Sequence, residues 1–411
     1  MAVLSYALIF STYICSVLMY FLPSVFTYKQ FAIAVAGASA IALPISMYKK
    51  HWCISKQNFI TSFLMILIVC LYWMTPYLVN PRSLSYLEVY ESFALAITGQ
   101  FLPTILIALL VSENSEAIKK MKQMAPILGM AFTFVALAAA FKPDMTTSGG
   151  FAETTYGLNY QTISYMASYA ASLLEYYVLT RENEITLIKF RPKYMGVLAE
   201  MLILLNALIV LVGGGRGGFV SYTVFMGLTL VLAVKKSVIS VQDVIKALFI
   251  MAVLIISAIA IFNYAGSLST SSNGFARITD FLSGHGDSGR EKLFKKAIEL
   301  FEDKPILGSG LGSILLINGI YSHNMIGDLL AETGIVGTAI VIFLIVVAIK
   351  KEFALIRQNF TDCLWLYLFL SGFIMSMFSG YYLTHFALWW TMTFVIHYNK
   401  TANPNDVYVR N

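Results

Sequence analysis

An apolar run that ends in glycines around one arginine decides how this chain folds. Residues 201–218 read MLILLNALIVLVGGGRGG. A membrane-spanning helix needs about 20 predominantly apolar residues to cross about 30 Å of hydrocarbon. Similar runs recur along the 411 residues, of which 58% are hydrophobic and only 12% are charged. Because soluble domains are about 25% charged, this composition excludes a soluble enzyme, a disordered chain and a secreted disulfide scaffold.

The apolar runs predict an all-α membrane protein, a single membrane domain over residues 1–411 with about twelve transmembrane helices. Eighteen Lys and Arg residues fall in the loops and tail on one side of these helices, and four fall in the short loops of the other side. Lys and Arg concentrate on the cytoplasmic side, so both termini are predicted to lie inside. The twelve spans are expected at about residues 3–22, 30–48, 58–79, 89–111, 124–141, 159–180, 194–213, 217–234, 247–264, 325–349, 364–379 and 382–398.

One outer connection is much longer than the others. It covers residues 265–322 and is expected to lie outside the cell membrane, although it contains several basic residues, Arg277 among them. Long translocated loops are largely exempt from the positive-inside rule, and loops of this length are usually functional or disordered. Within it, the apolar spacing of residues 290–303 predicts an amphipathic basic helix that lies in the membrane surface.

Two arginines are candidates for binding an anion at this outer surface. Helix lengths counted from Lys193 and Lys235 place Arg216 at the level of the outer headgroups. Gly215 and Gly217 would let backbone N–H groups approach an anion, and a guanidinium binds phosphate bidentately. The alternative is a tight hairpin whose arginine merely extends to the interface.

Arg290 lies in the first turn of the predicted amphipathic helix. Free N–H groups and the helix dipole favour an anion at that position. The alternative is a solvated charged face that only anchors the loop.

His323 begins the predicted tenth span, which also carries Asp328 and Glu332 on one face. A neutral imidazole accepts a proton near neutral pH, and acids inside a span are usually functional or paired. An unbroken helix would place Glu332 opposite His323, so Glu332 is expected to be a structural partner. The alternative for His323 is an ordinary hydrogen-bonding residue of the interface. The sequence has no metal-binding or nucleotide-binding motif, and we expect neither a metal nor a cofactor.

The order of these motifs resembles the O-antigen ligase and polymerase superfamily of bacterial envelope enzymes, over roughly residues 205–345. The resemblance rests on Gly-Gly-Arg-Gly-Gly at 214–218, Arg290-x-x-x-Phe294, Leu300-Phe301-x-x-x-Pro305-x-x-Gly308-x-Gly310, and His323-Asn324-x-x-x-Asp328-Leu329-x-x-Glu332-x-Gly334-x-x-Gly337.

The resemblance implies an integral glycosyltransferase of the GT-C type at the bacterial inner membrane, with its active site facing the periplasm. Such enzymes take a polyprenyl-diphosphate-linked glycan as donor. Ligases transfer it to lipid A–core, and polymerases transfer it to another lipid-linked repeat unit. At matching positions, Arg216 and Arg290 are expected to meet the diphosphate, together with Gly215 and Gly217. His323 is expected to be the base or to position the acceptor.

The motifs also bear on the type of enzyme. Family ligases often have Ser or Thr beside the first arginine, where this chain has glycine, and the Asp328 and Glu332 pattern favours a polymerase. We therefore expect a metal-independent, inverting O-antigen polymerase, with Asn324, Asp328, Glu332 and Arg277 as supporting residues and a chain-length regulator as a partner. A ligase is the alternative. A flippase or transporter is a distant one, because its polar residues would gather near the bilayer midplane. No nucleic acid partner is expected, since the net charge of +6 resides mostly in short loops.

Overall fold

The computed structural model describes residues 1–22, 28–49, 56–140, 160–180, 192–213, 215–236, 242 and 289–398, and all regular structure within these ranges is helical. A π-helical turn, Ile97–Phe101, lies between the helices Leu84–Ala96 and Leu102–Ser112, and 3₁₀ turns occupy Phe360–Asp362 and Tyr382–Thr384. The α-helices are α1 (Ala2–Ile9), α2 (Ser11–Phe21), α3 (Tyr28–Lys49), α4 (Lys56–Leu78), α5 (Leu84–Ala96), α6 (Leu102–Ser112), α7 (Ser115–Ala140), α8 (Tyr160–Thr180), α9 (Pro192–Gly213), α10 (Arg216–Lys235), α11 (Arg290–Asp303), α12 (Ser313–Asn318), α13 (Met325–Gln358), α14 (Cys363–Phe378) and α15 (Phe386–His397).

The described helices include seven that are long and apolar enough to span a membrane, or eight if α1 and α2, bent by 78°, form one span. The predicted number of twelve is therefore not confirmed. The prediction at 247–264 lies outside the described residues, and the other eleven predicted spans each coincide with a helix or a helix pair. The seven candidates are Phe59–Leu78, Leu84–Ser112, Ser115–Ala140, Tyr194–Leu211, Arg216–Lys235, Met325–Gln358 and Phe360–Phe378.

The shortfall has physical reasons in the helices themselves. α8 carries Ser164, Ser168, Ser172 and Glu175 in its interior, which lower its hydropathy. α15 is only 12 residues long, because the 3₁₀ turn at Tyr382–Thr384 takes up the chain in front of it. The orientation of the termini stays a prediction.

The chain divides into two compact units. Unit 1 comprises Met1–Ile14, Phe26–Lys122 and Ser288–Asn411, and unit 2 comprises Cys15–Val25 and Gln123–Asp287. The prediction of one membrane domain stays a prediction.

Unit 2 is built around α8, whose face of small residues lets its neighbours approach closely. The Ser168 hydroxyl donates to the carbonyl oxygen of Gly218 on α10 at 2.6 Å. On the α9 side, Asn206 Nδ2 donates to Thr133 Oγ1 at 2.8 Å. Such polar contacts join helices in an apolar medium, where water offers no competing partner.

Unit 1 has a large apolar core that includes Phe101, Leu329 and Trp389. At the end of this unit where α7 begins, Lys122 Nζ lies 2.7 Å from Asp362 Oδ1 in a buried ion pair. The opposite end of this unit contains α11, α12 and the first turn of α13. Two of the predicted site residues lie there, Arg290 in α11 and His323 in the turn before α13.

Candidate functional site

The amphipathic helix predicted at 290–303 is present as α11, with these same bounds. It begins after Gly289, which has a left-handed backbone with φ of 71° and no capping side chain. Arg290 is thus the first residue of the helix, where N–H groups have no partner within the helix. Ala297, in the middle of the apolar face, is fully buried.

α11 packs against the first turn of α13, and a close contact fixes the two helices. A Cβ added at Gly327 would lie 2.9 Å from the ring of Phe294, so glycine lets the aromatic ring approach the helix backbone. Phe294 is one turn from Arg290, and residues four apart share a helix face. The contact therefore places Arg290 at the end of α13 where His323 lies.

A tight turn presents His323 immediately before α13. His323 has φ of 60°, and no other non-glycine residue among those described has a positive φ. Such a backbone costs energy in a non-glycine residue and clusters at functional sites. Asp328 accepts a hydrogen bond from the Ser322 N–H at 2.8 Å. Asn324 Oδ1 accepts from the N–H groups of Ile326 and Gly327 and caps the helix. Asn324 and Asp328 thus hold the turn in place.

The imidazole of His323 is buried among groups that keep it neutral. Only 6% of the residue is exposed, and the Tyr321 ring lies edge-on with a centroid distance of 4.5 Å. Burial lowers the pKa of His323 to about 4, and the positive charge of Arg290 also contributes to this lowering. At neutral pH the ring is therefore an uncharged base.

The helix α13 is broken at Gly334, which has φ of 60° and ψ of −164°. The break removes helical hydrogen bonds, and the loop after α11 replaces them. Ser309 N–H and Gly310 N–H each donate at 2.9 Å to the carbonyls of Ala331 and Glu332. In return, Ile335 N–H donates to the Pro305 carbonyl at 2.9 Å, and Val336 N–H donates to that of Ile306 at 3.3 Å.

Two glycines make this backbone exchange possible. A Cβ on Gly308 would overlap the backbone of Glu332, and a Cβ on Gly334 would overlap that of Ile306. Both also have a positive φ, which disfavours any other residue. Gly308 of the Pro305-x-x-Gly308 motif and Gly334 of the Gly334-x-x-Gly337 motif thus allow the same backbone contact between the loop and α13.

The carboxylate of Glu332 is buried beside this contact between the loop and α13, and two tyrosines bind it. The Tyr381 hydroxyl lies 2.7 Å from Oε2 and 3.0 Å from Oε1. The Tyr382 hydroxyl donates to Oε2 at 2.9 Å, and the Gly312 backbone N–H also binds the carboxylate. Both tyrosines come from the turn between α14 and α15. Glu332 does not therefore present a carboxylate oxygen to a substrate.

Three tyrosines of the site, Tyr321, Tyr381 and Tyr382, were not predicted from the sequence. Tyr321 contacts His323, and the other two bind Glu332. Tyrosines are common in apolar segments of this chain, which has 24 of them. A signal existed in Ser379-Gly380, where polar and glycine residues interrupt the apolar pattern just before Tyr381.

In unit 2, Arg216 is the first residue of α10, after the N-cap Gly215. The Gly215 N–H donates to Ser164 Oγ at 3.0 Å, so this N–H group does not present itself to an anion. A Cβ on Gly217 would overlap the Tyr165 hydroxyl, and a Cβ on Gly218 would overlap Ser164. These glycines thus serve the packing of α10 on α8.

The structure brings Arg290 and His323 together with Asn324, Asp328 and Glu332 in unit 1, whereas Arg216 belongs to unit 2. The convergence of all three catalytic candidates on one pocket stays a prediction. Arg277 and Gly214 lie outside the described residues. Across the described ranges, no group of three or more His, Cys, Asp or Glu side chains could hold a metal ion.

Comparison with known proteins gives a match to a family model. The family model described as O-antigen ligase matches residues 201–342. The matched stretch runs from α9 through the break of α13, so it includes Arg216, Arg290 and His323. No curated protein and no solved structure matches the chain. With its several apolar helices this chain is a polytopic membrane protein, and the match over residues 201–342 supports the O-antigen ligase and polymerase superfamily.

Proposed function

We propose that this protein is an O-antigen polymerase that joins polyprenyl-diphosphate-linked repeat units on the outer face of the bacterial inner membrane. The family match implies a glycosyltransferase-like enzyme of the ligase or polymerase type that acts on lipid-linked glycans. The choice of polymerase, the inverting course, the independence from metal and the periplasmic site are parts of the proposal.

The observation that carries the proposal is the arrangement of Arg290 and His323 in unit 1. Phe294 seats α11 on the first turn of α13, next to the turn that holds His323. A cation at a helix start and a neutral imidazole beside it provide the two groups that glycosyl transfer from a diphosphate requires. One stabilises the leaving group, and the other accepts a proton.

The first task is to stabilise the departing diphosphate. When the bond between the anomeric carbon and the diphosphate oxygen breaks, its electron pair leaves with the lipid diphosphate. Arg290 would bind this negative charge together with the first-turn N–H groups of α11. We assign Arg216 the same task, from its position as the first residue of α10 and from the family motif. The Gly217 N–H lies in the first turn of α10 and would assist, whereas the Gly215 N–H is already bound to Ser164.

The second task is to activate the acceptor. A hydroxyl of the acceptor sugar would attack the anomeric carbon from the face opposite the diphosphate. Its proton would pass to the neutral imidazole of His323 as the new C–O bond forms. One displacement inverts the anomeric configuration. His323 would then release its proton to water or to the free diphosphate. A general base contributes about 10²–10⁴-fold to the rate.

The ligase is the second candidate, because the matched family model carries that description. The two reactions share the donor and differ only in the acceptor. A polymerase is favoured by Gly215 and Gly217 on both sides of Arg216, where ligases often have Ser or Thr. A chain-length regulator protein would be a partner of the polymerase alone. Transport is disfavoured, because the site residues gather at the start of α13 and not at its middle.

The test uses purified protein in lipid nanodiscs with a polyprenyl-diphosphate-linked oligosaccharide, and a gel readout of chain length. The wild type should produce a ladder of polymer with inverted linkages, read by NMR. Arg216→Ala, Arg290→Ala and His323→Ala should each reduce chain growth by about 10²–10³-fold, the typical cost of losing one charge-stabilising group or base. Lys296→Ala, an exposed residue of α11, is the matched control and should keep full activity.

Four results would contradict parts of the proposal. Transfer to lipid A–core without a ladder would identify a ligase, and movement of the glycan across the bilayer without a new glycosidic bond would identify a transporter. Loss of activity on complete chelation, restored by Mg²⁺, would overturn the metal-independent mechanism. Full activity in both arginine variants would end the glycosyl-transfer account of this site.

A further inference from the structure

We propose that Glu332 is a positioning residue for His323, which it orients through Tyr381 and Tyr321 without contacting the substrate. This inference rests on the proposed function, in which His323 accepts the acceptor proton. It gives a task to a buried acid that the transfer reaction itself does not use.

Glu332 acts through protein groups only. The residue is 1% exposed. Its carboxylate oxygens are held by the hydroxyls of Tyr381 and Tyr382, and the Gly312 N–H binds it as well. A carboxylate in an apolar environment is stable only with such partners. Any effect of Glu332 on the reaction must therefore pass through one of these groups.

A continuous series of ring contacts leads from Tyr381 to the imidazole of His323. The rings of Tyr381 and Tyr321 have a centroid distance of 6.4 Å. Phe93 of α5 contacts both, at 5.4 Å from Tyr381 and 6.1 Å from Tyr321. Tyr321 in turn meets the His323 ring edge-on at 4.5 Å. Tyr381 and Phe93 both pack against the Tyr321 ring. A shift of Tyr381 would remove one of these two contacts and so change the position of the ring that His323 contacts.

The backbone and the side chain of Glu332 both bind the loop that contains Gly310 and Gly312. Its carbonyl accepts from the Gly310 N–H, while its side chain binds the Gly312 N–H. The chain continues from Gly312 through α12 to Tyr321 and His323. Glu332 thus fixes this segment at its start, and Asp328, one helical turn earlier, fixes its end through Ser322. The two acids that the sequence places on one face of α13 hold the two ends of one segment.

The turn at His323 can be displaced easily, because its backbone is strained, with φ of 60°. A strained conformation persists only where its surroundings enforce it. The groups that face the imidazole are Tyr321 in its own turn and Arg290 on α11, with Asp328 at the base of the turn. A less firmly held Tyr321 ring should therefore impair the alignment of His323. The binding of the donor diphosphate by the arginines should stay unchanged.

The test compares Tyr381→Phe and Glu332→Gln with the wild type in the nanodisc assay. Tyr381→Phe keeps the ring and removes the hydroxyl that binds Glu332. We expect kcat to fall by about 10- to 100-fold, the scale of a small misplacement of a reacting group, while KM for the donor stays within about 3-fold of wild type. The acid limb of the profile of kcat against pH, which reports the ionisation of His323, should also change its midpoint. Glu332→Gln keeps an acceptor oxygen for a tyrosine and should retain more activity than Glu332→Leu.

Tyr6→Phe is the matched control, because it also removes one buried tyrosine hydrogen bond in unit 1, to the Met121 carbonyl at 2.8 Å. It should leave kcat and the acid limb unchanged. If Tyr381→Phe is not recovered folded, Tyr321→Leu takes its place with the same expected split between kcat and KM.

The outcomes separate this inference from the proposed function. If the wild type transfers glycan and His323→Ala does not, but Tyr381→Phe and Glu332→Gln keep wild-type kcat and pH profile, the positioning role is overturned. An equal rise in KM and fall in kcat/KM, with kcat unchanged, would overturn it as well. If His323→Ala keeps full activity, the proposed function fails instead.

Discussion

Two helices of this protein begin in the same way in sequence and in different ways in structure. At the start of α10, Gly215 precedes Arg216, and at the start of α11, Gly289 precedes Arg290. Neither helix has a capping side chain, and in both the arginine is the first helical residue. The surroundings of the two starts are not alike.

The start of α10 is packed, whereas the start of α11 is open. Gly215 has an extended backbone, and the glycines that follow Arg216 make room for Ser164 and Tyr165 of α8. Gly289 has a left-handed backbone, and a Cβ placed there would meet nothing within 4 Å. Glycines beside a candidate anion-binding arginine therefore have more than one cause. Those around Arg216 serve helix packing, and the one before Arg290 serves the turn into the helix.

The largest expected effect is on folding, at the packed start. Gly217→Ala would push a Cβ into the Tyr165 hydroxyl and should destabilise the protein by about 1–3 kcal/mol or more. The measurement is thermal unfolding in detergent together with the yield of monodisperse protein. Gly227→Ala on the same helix is the control, because nothing lies within 4 Å of its Cβ position. It should stabilise α10 by up to about 1 kcal/mol. Equal behaviour of the two variants would contradict the packing role of Gly217.

The smallest expected effect is at the open start. Gly289→Ala places a Cβ on a left-handed residue and should cost about 1–2 kcal/mol locally. Because the space is open and Arg290 remains, we expect glycan transfer to fall by no more than about 3-fold, and Gly289→Asn, which tolerates this backbone, to fall less. The nanodisc transfer assay measures both. A loss as large as that of Arg290→Ala would mean that the backbone at 289 itself belongs to the binding site.

The sequence predicted α11 from end to end, because its apolar residues recur with helical spacing and Pro305 stops it. The sequence also predicted most of the long apolar helices, because an apolar run is a local signal. Among the described residues, fewer helices are long and apolar enough to span a membrane than there are apolar runs, and α8 is one of those that fall short. Its serines and Glu175 are accommodated only because unit 2 buries them, for example in the 2.5 Å contact between Glu175 and Thr229.

The break at Gly334 could not be predicted from α13 alone. It depends on the loop at 305–310, whose N–H and carbonyl groups replace the lost helical hydrogen bonds. The tyrosine partners of Glu332 were missed for a similar reason, because they lie about 50 residues further along the chain. Local patterns found the charged and titratable members of the site. The uncharged residues that hold them became visible only through long-range contacts.

The central claim is that Arg290 and His323 form one site, and the most direct test is the pKa of the His323 imidazole, followed by NMR of isotope-labelled histidine in nanodiscs. The account predicts a pKa of about 4 in the wild type, so that the ring is neutral above pH 5 and becomes charged only as the pH falls through 4. In Arg290→Gln this pKa should rise, because a nearby positive charge no longer opposes protonation. In Lys296→Gln it should not change. A pKa near the ordinary value of 6.5, or one that Arg290→Gln leaves unmoved, would contradict the claim.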